Sequence, residues 1–260
     1  MFLIMAELFA AGLIIGSFLN VLIFRIPRHE SIAWPPSHCP ACSHPLAGHD
    51  NIPVVSFVRL RGRCRYCGHP ISLQYPVVEL LTAALLVLVF IKFGLSVKAL
   101  VAFVFATMIL LAAAIDLGHK IIPNRVVFPA GLAGVCLVLL GLSGLPDFLP
   151  LVGNGSAWSA LAGSFIGGGI LLLPALINEN WMGGGDIKLM AVAGLFLGTY
   201  VLIALFVGSL AGSVTGVGLM RARKLKKGQP LPFGPFLAVG SLAALFFGPE
   251  MWSAYTSLWF

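Results

Sequence analysis

Two aspartates stand at the edges of apolar runs, where a carboxylate is expensive. Asp116 closes the run Ala99 to Ile115; Asp186 follows Met182-Gly183-Gly184-Gly185 and opens the run Ile187 to Leu197. A carboxylate in such a place is hydrated, paired or in use. Two carboxyl groups brought together cannot both ionise readily, so the pair holds one proton near neutral pH. One of them can then activate water as a base while the other, as an acid, polarises a scissile carbonyl, which is the chemistry of an aspartyl protease. On this reading Asp116 and Asp186 are catalytic, and Gly183, Gly184, Gly185 and Lys188 form the supporting loop. Singly, each aspartate has a plainer role, Asp186 as the N-cap of the helix after it and Asp116 as a membrane-boundary residue supported by Lys120. The glycine run is not a phosphate loop, since no Gly-Lys-Ser/Thr follows it.

Residues 25–75 form the only sizeable polar segment and carry a second constellation. Cys39-Pro40-Ala41-Cys42 and Cys64-Arg65-Tyr66-Cys67 are two Cys-x2-Cys pairs with 21 residues between them, one beyond the usual window. Each pair puts two thiolates on one tight turn, and two such turns complete a tetrahedral site with Zn–S of about 2.3 Å. The alternatives are disulfides or unpaired thiols, and a reducing cytoplasm opposes the disulfides. Cys39, Cys42, Cys64 and Cys67 are therefore read as a structural Zn2+ site, closed by four thiolates and not catalytic. His38, His44 and His69 are loop histidines rather than ligands, and Cys136 is a packing residue. With this loop and the glycine run in one chain, the paired reading of the aspartates outweighs the two plain ones.

Two further polar residues lie inside apolar segments. Glu79, about a turn into the second span, either forms a structural ion pair with an arginine of the loop or serves the site or the substrate's amino-terminal region. Gly16, Ser17 and Asn20 give the first span a small polar face, read as helix packing or as a wall of a substrate or methyl-donor site. Gly163/Gly167 and Gly208/Gly212/Gly216, at four-residue spacing, are read as packing seams.

The elements that must position these groups are membrane helices. The 260-residue chain is 59% apolar and 10% charged, with mean hydropathy +1.00, whereas a soluble domain carries about 25% charge. Runs near 20 residues predict eight spans: Phe2–Phe24, Pro76–Phe93, Ala99–Ile115, Val126–Leu142, Ala157–Ile177, Ile187–Leu197, Tyr200–Met220 and Phe233–Trp252. The first lacks a basic n-region and a small-residue cleavage site, so a retained helix is expected rather than a removed signal peptide. Ile187 to Met220 would make about 51 Å of helix, too long for one ~30 Å crossing and short for two. A turn near Gly198-Thr199 makes it two crossings and returns the basic residues of 221–227 to the face of the other basic loops. Fourteen of the sixteen lysines and arginines then share one face, and only Lys92 and Lys98 lie on the other. The positive-inside rule makes the first face cytoplasmic and both termini periplasmic. A sixth helix of about 18 Å sets Asp186 below the membrane surface, in a watery notch lined by non-helical Gly183–Gly185 backbone.

The expected fold is thus an all-α polytopic membrane protein with about eight transmembrane helices and a small zinc-binding cytoplasmic loop domain. Its parts are the first helix (1–24), the zinc loop (25–75) and the peptidase core (76–260). The net charge of +7 sits in short clusters between spans, so no nucleic-acid partner is expected. The 221–227 cluster anchors topology and attracts anionic lipid headgroups at about 1 kcal/mol per basic residue.

In the order they occur, the motifs resemble those of the bacterial type IV prepilin peptidases, membrane aspartyl proteases of the Gly-x-Gly-Asp class. They are Gly16-Ser17-Phe18-Leu19-Asn20-Val21, Arg25-Ile26-Pro27, the two cysteine pairs, Gln74-Tyr75-Pro76-Val77-Val78-Glu79, Asp116 with Ile122-Pro123-Asn124, Met182 to Met190, and Pro232-Phe233-Gly234-Pro235-Phe236. The resemblance covers nearly the whole chain, and the family's catalytic aspartates map onto Asp116 and Asp186. It implies cleavage of prepilins or pseudopilins after a glycine, just before their apolar amino-terminal helix, at the cytoplasmic face of the inner membrane. It also implies methylation of the new amino terminus with S-adenosylmethionine, an activity of the members that carry a zinc loop. The sequence sets no oligomeric state. A proton- or cation-coupled transporter is the first rival, but it should show an internal repeat, and none is found. A catalytically silent assembly factor is the second, and the intact aspartates weigh against it.

Overall fold

The computed structural model describes residues 2–143, 149–152, 156–178, 181–223 and 231–258. Lys224, Lys226 and Lys227 of the basic cluster lie outside them. The described residues form helices joined by turns, with isolated antiparallel bridges at His38–Pro45 and Arg63–Pro70. The chain divides into two compact units, Met1–Leu95 and Ser96–Phe260.

In the first unit a long helix α1 (Phe2–Arg25) lies against α3 (Gln74–Phe93), and a short helix α2 (Val55–Arg59) interrupts the loop between them. The helices run antiparallel. A Cβ on Gly12 would meet Ala83, one on Gly16 would meet Glu79, and Asn20 Nδ2 donates to the Tyr75 carbonyl at 3.0 Å. Small residues every four positions on α1 let the backbones approach, as in other tightly packed membrane helices. Where α1 ends, buried Arg25 donates to the carbonyls of Ser31, Ile32 and Pro35. That folds the start of the polar loop around the guanidinium.

The second unit holds α4 (Val97–His119), α5 (Asn124–Leu142), α6 (Ala157–Ile177), α7 (Gly184–Leu197), α8 (Val201–Arg221) and α9 (Gly234–Thr256). Phe105 of α4 stacks on Phe196 of α7 with centroids 4.9 Å apart. Ile109, Ile115, Leu189, Met190, Leu237 and Leu245 are fully buried around them. Phe165, Phe206 and Leu132 point outward, as expected where lipid is the solvent. The two glycine seams are packing contacts: Gly163 and Gly167 meet the Gly194 and Met190 carbonyls of α7, and Gly208 and Gly212 meet Phe236 of α9.

Among the described residues, seven helical stretches are long and apolar enough to cross a membrane, and one of them, Gly184–Arg221, is 38 residues long. It is broken at Gly198, whose φ of 60° ends α7 and leads into a 3-10 turn, Gly198–Tyr200. The chain reverses there. α8 begins with Tyr200 beside Gly248 near the far end of α9, and its later residues Gly212 and Gly216 lie beside Phe233 and Leu231 near α9's start. That start touches Asp116, so α8 returns to the aspartate end of the unit. The long stretch is therefore two antiparallel helices, so the described residues carry the eight expected spans.

Candidate active site

Asp116 closes the apolar run and lies within α4, a turn before the helix ends at His119. Its side chain is buried, and its Oδ2 accepts a 2.9 Å hydrogen bond from the amide of Gly234, the first residue of α9. Helix N-termini present unpaired amides and a partial positive charge, so this contact suits a carboxylate. Gly234 must be glycine for the contact to form, because a Cβ there would lie 2.8 Å from Asp116 Oδ2.

Asp186 is not an N-cap. Gly183 has that place, with extended backbone, and Asp186 is the third residue of α7. Gly184 and Gly185 are helical, so only Gly183 of the expected irregular stretch lies outside the helix. The reason is steric. Gly185 sits against Ile122, where a Cβ would come within 2.9 Å of the isoleucine Cβ, so the glycine lets the first turn of α7 press on the α4–α5 connection. With 14 residues, α7 is about 21 Å long, about 3 Å longer than expected. Lys188 Nζ donates to Asn124 Oδ1 at 3.2 Å and ties α7 to the first residue of α5. The half-buried Asp186 thus comes within electrostatic reach of Asp116, whose charge acts on it. Three motifs distant in sequence, around residues 116–124, 182–190 and 232–236, meet at the two carboxyl groups.

In the first unit, the sulfurs of Cys39, Cys42, Cys64 and Cys67 all lie within 4.8 Å of one another, and the Cys39–Cys67 pair is 3.8 Å apart. A tetrahedral Zn–S site with 2.3 Å bonds has sulfur–sulfur edges of about 3.8 Å, so the donor set fits a metal ion. All four cysteines are free of disulfides. Amides of Cys67 and Tyr66 donate toward Cys64 and draw its thiol down to about 7. At Cys67 the His69 amide favours the thiolate, but burial and the neighbouring sulfurs outweigh it and push the thiol up to about 12. As four thiolates this close they would need a cation among them. Behind this turn, the Arg65 guanidinium grips Asp50 through Nε at 2.7 Å and Nη2 at 2.6 Å, and holds that carboxyl below its usual range.

Glu79 is buried on α3. Its Oε2 accepts the Val54 amide at 2.8 Å, and Ser17 of α1 also hydrogen-bonds to its carboxylate. Among the described residues its partners are an amide and a hydroxyl, not the arginine that the ion-pair reading required. Asn20 packs as described above, and its Oδ1 is buried without a partner.

Two features went unread in the sequence. One is the Gly234 amide; only the motif spelling hinted at it. The other is a repeat, since Cys39-x2-Cys42-Ser43-His44-Pro45 recurs as Cys64-x2-Cys67-Gly68-His69-Pro70. In both copies the first cysteine's amide donates to the histidine carbonyl, at 3.0 and 2.8 Å, and the fifth residue has positive φ, 58° at Ser43 and 69° at Gly68.

The described geometry can be set beside known proteins. Residues 10–93 match the bacterial peptidase A24 N-terminal domain, and residues 103–217 match the type IV leader peptidase family. A Bacillus subtilis prepilin leader peptidase/N-methyltransferase is 39% identical over 96% of this chain and 97% of its own length. Proteins of the same name from Burkholderia pseudomallei and Aeromonas hydrophila are 35% and 34% identical, over 91% and 94% of this chain and 83% and 90% of their own lengths. No solved structure matches the chain. Similarity of this extent, from one end of the chain to the other, makes this protein a member of the type IV leader peptidase family.

Proposed function

We propose that this protein is a membrane aspartyl endopeptidase that removes the leader of type IV prepilins or pseudopilins and methylates the new amino terminus with S-adenosylmethionine. The observation that carries the peptidase reading is the meeting of Asp116 and Asp186 at one end of the second unit, with Asp116 held by the Gly234 amide. The amide fixes one oxygen of Asp116 and leaves the other for chemistry. With one proton between the pair, the ionised carboxyl takes a proton from water as it attacks the scissile carbonyl, and the protonated one donates to the carbonyl oxygen. Proton return to the leaving nitrogen then breaks the peptide bond. A substrate whose apolar helix lies in the bilayer and whose leader lies in water suits carboxyl groups placed near a helix end. The names of the relatives support the prepilin substrate and the methylation.

The fourteen-to-two partition of basic residues supports a cytoplasmic side of the inner membrane for the aspartates and the 25–75 loop and a periplasmic side for both termini. Cys39, Cys42, Cys64 and Cys67 would hold Zn2+, which when bound supplies the crosslink that folds the loop.

The test is cleavage of a prepilin by purified variants. Asp116→Asn and Asp186→Asn should each lower the rate by at least about 10³-fold, since one carboxyl cannot serve as both acid and base, while thermal unfolding stays close to that of the parent. Activity within a few-fold of the parent in either variant would remove the dyad.

A further inference from the structure

Between α1 and α3 the first unit buries a carboxylate that pairs with no cation among the described residues. Glu79 is 6% exposed and Asn20 is 3% exposed. The cations nearest in sequence on α1 and the turn after it are committed elsewhere. Arg25 donates to three loop carbonyls, and Arg28 donates to the Phe24 carbonyl and lies over its ring. The described ion pairs involve Asp50, not Glu79. Tyr75, a turn before Glu79 on α3, is neutral at ordinary pH. A charge buried at membrane depth without a partner is unfavourable by several kcal/mol, so this arrangement calls for a cation from outside the chain.

The surroundings suggest which kind. In the antiparallel register Gly16 faces Glu79 and Asn20 faces Tyr75, one turn away. Side chains on a helix incline toward its N-terminus. Glu79 therefore leans toward the level of Tyr75 and Asn20 toward the level of Gly16, so their polar ends converge. The Tyr75 carbonyl that receives Asn20 Nδ2 is the one that the Glu79 amide addresses in a regular helix. Asn20 Oδ1 is buried and unpartnered. The carboxylate, which already accepts from Val54 and Ser17, has acceptor sites to spare. Val54 is held at φ 60°, ψ −47°, with the Val55 amide bonded back to Pro53 at 2.6 Å. This is a strained γ-turn for a β-branched residue, and it aims the Val54 amide at Glu79. The site thus offers acceptors from two helices, the Asn20 Oδ1 of α1 and the Glu79 carboxylate of α3, the latter held by the loop's Val54 amide; they complement a primary ammonium, which has three donors and a positive charge.

Resting on the bifunctional reading above, we propose that Glu79 and Asn20 bind the free amino terminus of the processed substrate, and that Glu79 is the base for its methylation. Glu79 takes a proton from the ammonium. The freed lone pair forms the N–C bond to the methyl group of a sulfonium donor as the C–S bond breaks, and that electron pair leaves with sulfur as a neutral thioether. The methylated nitrogen carries the remaining positive charge.

The experiment uses the full chain in detergent with an apolar helical peptide bearing a free amino terminus and the same peptide N-acetylated. The parent should bind the free amine at least about 10-fold more tightly, and Glu79→Gln and Asn20→Leu should each abolish the preference. Glu79→Gln keeps an oxygen for Val54. It should lower methylation about 100-fold more than it lowers prepilin cleavage, and methylation should recover as pH rises past about 8, where a terminal amine loses its own proton. Equal binding of the two peptides by the parent would overturn the site, as would parent-like methylation with an unshifted pH profile in Glu79→Gln. If the parent cleaves but transfers no methyl group, the bifunctional reading fails and the base role falls with it, while the peptide comparison decides the ammonium site. Should Glu79→Gln fail to fold, Asn20→Leu carries the binding test.

Discussion

At the scale of residues, the aspartate site depends on two glycines as much as on two acids. A Cβ at Gly234 would stand 2.8 Å from Asp116 Oδ2, and one at Gly185 would stand 2.9 Å from the Ile122 Cβ. The Ile122 Cβ is a branch point that cannot turn away, and the Asp116 oxygen can move only by giving up its place at the Gly234 amide. Gly234→Ala should therefore displace the Asp116 carboxyl and slow cleavage by about 10²-fold, the usual effect of moving a reacting group by an ångström. Gly218→Ala is the control, since a Cβ there meets nothing within 4 Å. It should cleave prepilin at the parent rate. Equal rates for the two variants in a purified assay would show that the Gly234 contact does not position Asp116. The Lys188–Asn124 bond is exposed, so Lys188→Met should cost less, a few-fold in rate, by loosening α7 from α5.

At the scale of elements, the loop of the first unit is organised by paired turns rather than by a core. Its burial centres on Cys39, Cys64 and Asp50, the last held by the exposed Arg65, whereas Ile52, Val55 and Val58 remain exposed. Metal binding should then supply much of its folding free energy. Purified protein should contain about one zinc per chain. Cys64→Ser should lower that content sharply and open residues 25–73 to limited proteolysis. Cleavage of prepilin should fall only in part, because both aspartates stand on helices of the other unit. Full zinc content in Cys64→Ser would mean that the sulfurs are not one site. Methylation should suffer at least as much as cleavage, because the Val54 amide that meets Glu79 belongs to this loop.

At the scale of the whole molecule, the motifs fall into two sets. Those around residues 16–20, 25–27 and 74–79 gather in the first unit, and those around 116–124, 182–190 and 232–236 gather in the second. Loss of methylation without loss of cleavage should therefore map to the first unit and loss of cleavage to the second. The eight passes also make a topological prediction. Fusions ending at Leu95 should be active with alkaline phosphatase, which needs export, and fusions ending at His119 should fluoresce with a cytoplasmic reporter such as green fluorescent protein. The opposite pattern would invert the charge-based orientation.

Residue types, run lengths and charge were enough to predict a membrane protein, its eight passes, the two carboxylates and the four-cysteine cluster. These follow from local quantities: hydrocarbon thickness sets run length, and two tight turns bring four sulfurs together. Helix ends were less legible. α7 starts three residues early because Gly184 and Gly185 can enter a helix against Ile122, a neighbour 63 positions away that no local pattern reveals. The tertiary structure alone decided the register of α1 on α3, which sets Gly16 against Glu79 and Asn20 against Tyr75, and the amide of Gly234 on Asp116, 118 residues apart. The reason is physical. A helix apolar all round carries no stripe to say which face meets protein and which meets lipid, so these pairings emerge only when close-packed backbones choose a register.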